Sequence, residues 1–203
     1  KYYQLSFRAF REAFTKEVVN LDLSIFSLHL ILAAGFIVMP IIIVENQIVS
    51  MAENWHLYLP AIFLSFLGML PLIVISEKFK KTKYILMLCI SLLTLSQLIF
   101  LNASLNFQLF LVTLTIFFIA FNSIEALLPS LLSRTSDTEK RGLAMGIFST
   151  SQFLGTFFGG AIGGLIYDIY DLNSVFLFTI FVAIIWWFLM LLMPLKTKKL
   201  KEK

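Results

Sequence analysis

Six apolar runs joined by short connections leave this chain few ways to fold. They lie at Leu21 to Val44, Trp55 to Ser76, Tyr84 to Leu101, Phe107 to Leu132, Leu143 to Tyr167 and Val175 to Met193. Each is close to the roughly 20 residues a helix needs to cross a bilayer core about 30 Å thick. Inside hydrocarbon a backbone must satisfy its own N–H and C=O groups, so runs of this kind read as helices. With 59% of its 203 residues hydrophobic and 14% charged, the chain also has too little polar surface to cover a water-soluble globule. The expected class is an all-α, polytopic membrane protein embedded in a lipid bilayer.

Charge sets the orientation. All 16 Lys and Arg fall in four segments: residues 1–20, Glu77 to Lys83, Ser133 to Gly142, and the tail from Pro194. The alternate connections, Glu45 to Asn54, Asn102 to Asn106 and Asp168 to Ser174, carry none. By the positive-inside rule both termini are expected to face the cytoplasm. The net charge of +4 is thus a topology signal spread over short segments, not a nucleic-acid surface. Trp55, Tyr58, Tyr167 and Tyr170 fit an aromatic belt at the outer interface.

The ends divide off by composition. In residues 1–20, Tyr3, Phe7, Phe10, Phe14 and Val18 recur at helical spacing, with Arg8, Arg11, Glu12 and Lys16 on the other side. This predicts an amphipathic cytoplasmic helix along the membrane surface. The bundle is expected over 21–194 and a basic tail over 195–203. The chain begins at Lys1 without Met and reads as a piece of a longer polypeptide, or one trimmed at its start. A single cysteine, Cys89, excludes an internal disulfide, and no Cys and His spacing fits zinc. No metal or cofactor is expected.

Polar residues inside the spans carry the chemistry. Glu125 is the one carboxylate well inside a run, and an ionised group there costs at least a few kcal/mol, which marks it as a candidate for transport or proton movement. Thr115, Phe118, Asn122, Glu125 and Pro129 share one face of the fourth span; Asp22, His29, Ala33, Phe36 and Pro40 share one face of the first. These two spans run in opposite senses, and His29 and Glu125 each lie about 12 Å from the cytoplasmic end. They are expected to meet at one level. The prediction is a polar cluster of His29, Glu125 and Asn122 that binds a proton or substrate, in a cavity lined by Asp22, Phe36, Thr115 and Phe118. The competing reading is a Glu125 satisfied by a neighbouring helix and a His29 bonded to a carbonyl. In the fifth span Gly155, Gly159 and Gly163 form a GxxxGxxxG row, with Gly160 and Gly164 one residue round. Small residues at that spacing let helix backbones approach closely, so packing is the expected role.

The residues then carry a resemblance. N-x-x-E-A-x-x-P from Asn122, R-G-x-A-x-G from Arg141, and G-x-x-x-G-G-x-x-G-G from Gly155 resemble the tenth and eleventh helices of a major facilitator superfamily transporter. LDLSIFSLHLILAAGFIVMP and YLPAIFLSFLGMLPLIVISEKFKK are similar to the seventh and eighth helices of the YajR-like bacterial efflux branch. The resemblance implies that the six spans are the C-terminal half of a twelve-helix transporter, built as two inverted three-helix repeats. Residues 1–20 would be the end of the linker between halves. The first and fourth spans would line the cavity, and the second and fifth would face the missing N-terminal half. In the family the turn after the eighth helix carries G-x-x-x-D-R-x-G-R-R, which contributes to gating. Here Glu77, Lys78 and Lys81 take its acidic and basic positions, while Ile73 and Lys80 replace both glycines.

The expected function is alternating-access transport of a small solute, with proton-coupled efflux as the specific form. The alternatives are a non-transporting scaffold or assembly protein and a half-size transporter that dimerises. A membrane-embedded enzyme would need HExxH, GxSxG or an intramembrane aspartate pair, none of which is present. No Arg lies mid-span, and the predicted cavity faces are aromatic with few charges, so a cationic or amphiphilic solute fits better than a phosphate.

Overall fold

The computed structural model describes residues 15–101 and 105–193 and contains six long helices. They are α1 (Lys16–Glu45), α2 (Trp55–Lys78), α3 (Thr82–Phe100), α4 (Phe107–Thr135), α5 (Arg141–Ile169) and α6 (Leu172–Leu192), with a short 3-10 turn at Met51–Glu53. Each predicted run falls within a helix or within a residue of its end. The largest difference is at the start: Lys16 to Asn20 are not a surface helix but the first turns of α1, and Val18 is buried. Residues 1–14 and the tail from Pro194 lie outside the described residues.

Local chemistry explains the boundaries. The hydroxyl of Thr15 accepts from the Val18 N–H at 3.3 Å to open α1, and Asn106 accepts from Leu109 at 2.9 Å to open α4. Asp171 opens α6, accepting from both the Ser174 N–H and its hydroxyl at 2.7 Å. Those bonds hold its carboxyl below the usual carboxylate range. Prolines 40, 60, 71 and 129 all lie inside helices, which neighbouring helices and polar side chains make tolerable in a membrane.

Five helices are long and apolar enough to cross a membrane. The remaining one, α5, matches them with 29 residues, but its glycines, serines, threonines and Gln152 lower its hydropathy. What compensates is close packing. Gly155, Gly159 and Gly163 press against the backbone of α1 at Phe26, Leu30 and Ala34. Both sets of numbers rise together, so α1 and α5 run parallel.

The packing has an internal two-fold. The most extensive pairs are α1 with α5 and α2 with α4; then come α3 with α4, α3 with α6, and α1 with α6. Exchanging α1, α2, α3 for α4, α5, α6 maps this set onto itself. The second main pair is also parallel, because Ser65 meets Asn122 and Glu77 meets Arg134 at the same sequence offset. Two three-helix repeats of opposite orientation give this pattern.

Leu21, Ile25, Leu28 and Ile31 of α1 pack in one apolar core with Phe110 and Phe117 of α4, Phe100 of α3, and Phe176 and Trp186 of α6. Buried hydroxyls return to their own helix: Thr113 donates to the Leu109 carbonyl at 2.7 Å and Ser123 to that of Ile119 at 2.7 Å. The outward face of α2, with Leu59, Phe63, Phe66, Leu67 and Leu70, stays exposed, as do Phe153, Leu154, Phe157 and Leu165 of α5.

Candidate functional site

His29 is held first by its own helix. Its Nδ1 lies 3.1 Å from the Ile25 carbonyl oxygen, an acceptor, so Nδ1 carries a proton and, in the neutral ring, Nε2 presents a lone pair. The ring packs edge-on to Phe121 with centroids 5.5 Å apart. From α4, Glu125 brings Oε2 to 3.7 Å from that Nε2. His29 and Glu125 therefore meet at one level, as the span lengths and opposed directions require. Their side chains are unequally open, at 9% and 35% exposure, so the glutamate is the more accessible member.

The third member comes from α5. The Gln152 amide nitrogen is 3.1 Å from Glu125 Oε1 and 2.9 Å from His29 Nε2. Both partners are acceptors, so the amide nitrogen, with two hydrogens, is the atom that must face them. Sequence reasoning missed Gln152 because the glycine row drew the reading of that span to packing. The signal was present: a glutamine within STSQFLGTFFGG is as anomalous in hydrocarbon as an in-span carboxylate. Glu125 Oε2 remains buried with no hydrogen-bond partner.

Asn122 does not join this network. One helical turn from Glu125, its side chain donates to the Ser65 hydroxyl at 2.8 Å, tying α4 to α2, while Ser65 donates to the Ile62 carbonyl at 2.7 Å. Nor does Asp22 line an open cavity. It is 6% exposed, and neither of its carboxylate oxygens has a partner. Thr115 bonds back to the Leu111 carbonyl at 2.7 Å. Phe36 and Phe118 are in ring contact, within a series from Tyr58 to Phe36 (6.2 Å), Phe118 (6.1 Å), Phe117 (5.5 Å), Phe121 (6.2 Å) and so to His29, but Phe117 and Phe118 are buried in the core.

Gly155, Gly159 and Gly163 lie in the seam with α1, whereas Gly160 has open space at its Cα and Gly164 an ordinary contact with Ile37. At the turn after α2, Glu77 is held not by Lys78 or Lys81 but by Arg134, whose two terminal nitrogens lie 3.2 and 2.7 Å from its carboxylate oxygens. Lys78 lies over the Phe79 ring at 5.8 Å, and Lys81 precedes α3 without a side-chain cap. Lys80, where the related motif has glycine, takes φ +54°. The turn therefore keeps the left-handed geometry that glycine adopts freely, at a cost of about 1 to 2 kcal/mol for another residue. No cluster of three or more His, Cys, Asp or Glu able to hold a metal occurs among the described residues.

The sequence profile of the Major Facilitator Superfamily matches residues 21–203. The chain belongs to this superfamily. Its relatives include the inner membrane transport protein YajR of Escherichia coli (strain K12), 36% identical over 169 residues that make up 83% of this chain and 37% of YajR. An uncharacterized transporter of Buchnera aphidicola subsp. Acyrthosiphon pisum is 39% identical over 145 residues, 68% of this chain and 35% of its own. Another, from Buchnera aphidicola subsp. Baizongia pistaciae, is 32% identical over 180 residues, 87% of this chain and 45% of its own. The chain thus spans less than half the length of each of these transporters. As a superfamily member it is a multi-pass membrane protein of a transporter family, not of an enzyme family, and the six-helix bundle with its internal two-fold is half of that fold.

Proposed function

We propose that these residues form the C-terminal half of a twelve-helix secondary transporter of the inner membrane, with both termini cytoplasmic, that exports a small solute by alternating access driven by protons. The carrying observation is the junction of three helices at one carboxylate: His29 of α1, Gln152 of α5 and Glu125 of α4, with Oε2 of Glu125 unpartnered. A carboxylate beside an imidazole at this depth is a proton acceptor that two moving helices share. The half-exposed ring of Phe36 and the partly buried Phe121, which packs against His29, lie on the same two helices as that pair, and aromatic rings near a carboxylate favour an organic cation. The exposed apolar faces of α2 and α5 are where a further six-helix half would pack, which agrees with the longer relatives.

The test uses the full-length polypeptide in inverted vesicles, with ethidium as the probe cation. Uptake is expected to follow an imposed proton gradient, and Glu125→Gln is expected to abolish the gradient-driven component. Equal gradient dependence in wild type and Glu125→Gln rules the reading out.

A further inference from the structure

Resting on the reading of His29 and Glu125 as a proton site, we propose that Gln152 is the positioning residue that senses their protonation, its amide inverting when His29 gains a proton and transferring Glu125 from α5 to α1. With His29 neutral, Nδ1–H donates to Ile25 and Nε2 accepts, so the two Gln152 N–H groups satisfy His29 Nε2 at 2.9 Å and Glu125 Oε1 at 3.1 Å. A proton on Nε2 makes it a donor. Two donors cannot face each other at 2.9 Å, whereas a half-turn of the amide presents its oxygen, an acceptor, to the new N–H.

The same half-turn sets the amide oxygen against Glu125 Oε1, and two acceptors repel at 3.1 Å, so the carboxylate is driven off α5. The single Nε2–H goes to the amide oxygen, and Glu125 is held instead by the charge of the imidazolium, with Oε2 already 3.7 Å from Nε2 and without a hydrogen-bond partner. No other charge competes from the packed helices. α5 carries no ionisable side chain from Gly142 to Ile166, α6 none from Leu172 to Leu192, α2 none from Leu59 to Ser76 and α3 only the Cys89 thiol from Ile85 to Phe100, while α4 offers Glu125 alone at this level; on α1 itself Asp22 lies two turns away. Gln152 stands three residues before Gly155, where α5 touches the α1 backbone at Phe26. Protonation therefore removes a polar tie between α4 and α5 at the start of the glycine seam and strengthens the one between α4 and α1. A switch built from one amide needs no large motion at the site to bias the helix pair that would slide.

The experiment is nitrogen NMR on the full-length polypeptide in liposomes, with 15N-labelled His and Gln and His29 signals identified by their loss in His29→Asn. At a pH where His29 is neutral, its Nδ1 is expected to be protonated and its Nε2 correlated through the hydrogen bond with the Gln152 amide nitrogen. On acidification that correlation should vanish as Nε2 gains its proton. Gln152→Met, similar in volume and without the amide, should lack the correlation while keeping Nδ1–H on Ile25. A correlation absent while His29 is neutral in wild type, or a Gln152 amide nitrogen that stays bonded to Glu125 after His29 is protonated, read as a shift that Glu125→Ala still moves, overturns the inference and leaves the proton site standing. Failure of both His29 and Glu125 to titrate between about pH 4 and pH 9 overturns the proton site, and this inference with it.

Discussion

At the scale of single residues, a polar side chain inside the bundle is tolerated by finding a partner on another helix or on its own backbone. Asn122 and Ser65 do both: one hydrogen bond of 2.8 Å joins α4 to α2, and Ser65 returns its own proton to Ile62. Such bonds within membranes contribute about 0.6 kcal/mol on average, because alternatives exist in the unfolded reference state as well. Asn122→Ala and Ser65→Ala should therefore couple by about that much in a double-mutant cycle of unfolding in detergent. Coupling near zero would mean the bond only accompanies packing. Arg134 and Glu77 contrast with this pair. Their contact is bidentate, but both side chains are nearly half exposed, so solvent screening leaves about 0 to 1 kcal/mol, and a role in gating has to rest on geometry. The competing reading of Glu125, a carboxylate met by a neighbouring helix with His29 bonded to a carbonyl, describes contacts that are also present. Glu125 itself was legible in the sequence because a carboxylate inside an apolar run is costly. Gln152 and the release of Asn122 to Ser65 were not, since spacing says which residues share a face but not which neighbouring helix that face meets.

Among the elements, the seam between α1 and α5 is the most demanding contact. A Cβ at Gly159 would fall on the Leu30 carbonyl oxygen and come within 2.8 Å of the Leu30 Cα. Backbone cannot rotate aside as a side chain can. Gly159→Ala should therefore force the helices apart and lower stability by about 1 to 3 kcal/mol. Gly160→Ala, with nothing within 4 Å, should leave stability unchanged or raise it slightly through helix propensity. Measuring both by denaturant titration separates helix propensity from close approach, and equal effects would contradict the seam. The row of small residues at Gly155, Gly159 and Gly163 pointed to a packing role from sequence. That the partner is α1, in parallel, is a tertiary fact, because any helix with a smooth enough surface would have satisfied the same row.

Over the whole molecule, the distribution of basic residues makes an orientation prediction that the bundle does not itself decide. Cys89 is buried, so introduced cysteines should be the sites that report. Asn173→Cys, exposed in the first turn of α6, should react with an impermeant maleimide on intact cells. Thr138→Cys, between α4 and α5, should react only after permeabilisation. The opposite pattern would invert the topology and remove the basis for calling the basic face cytoplasmic. The exposed faces of α2 and α5 belong to this scale too: each presents a row of large apolar side chains that the other five helices leave uncovered.

The sequence by itself determined the six helices, their lengths and their alternating direction, because the hydrocarbon core imposes a fixed span and forbids unsatisfied backbone. It also singled out His29, Glu125 and the glycine row, since each breaks a rule that the rest of its run obeys. Only the tertiary structure decided that α1 pairs with α5 and α2 with α4, that Gln152 stands between His29 and Glu125, and that Asp22 is closed off. Those outcomes depend on side-chain fit between segments far apart in the chain, and helical periodicity carries no information about the partner across the interface.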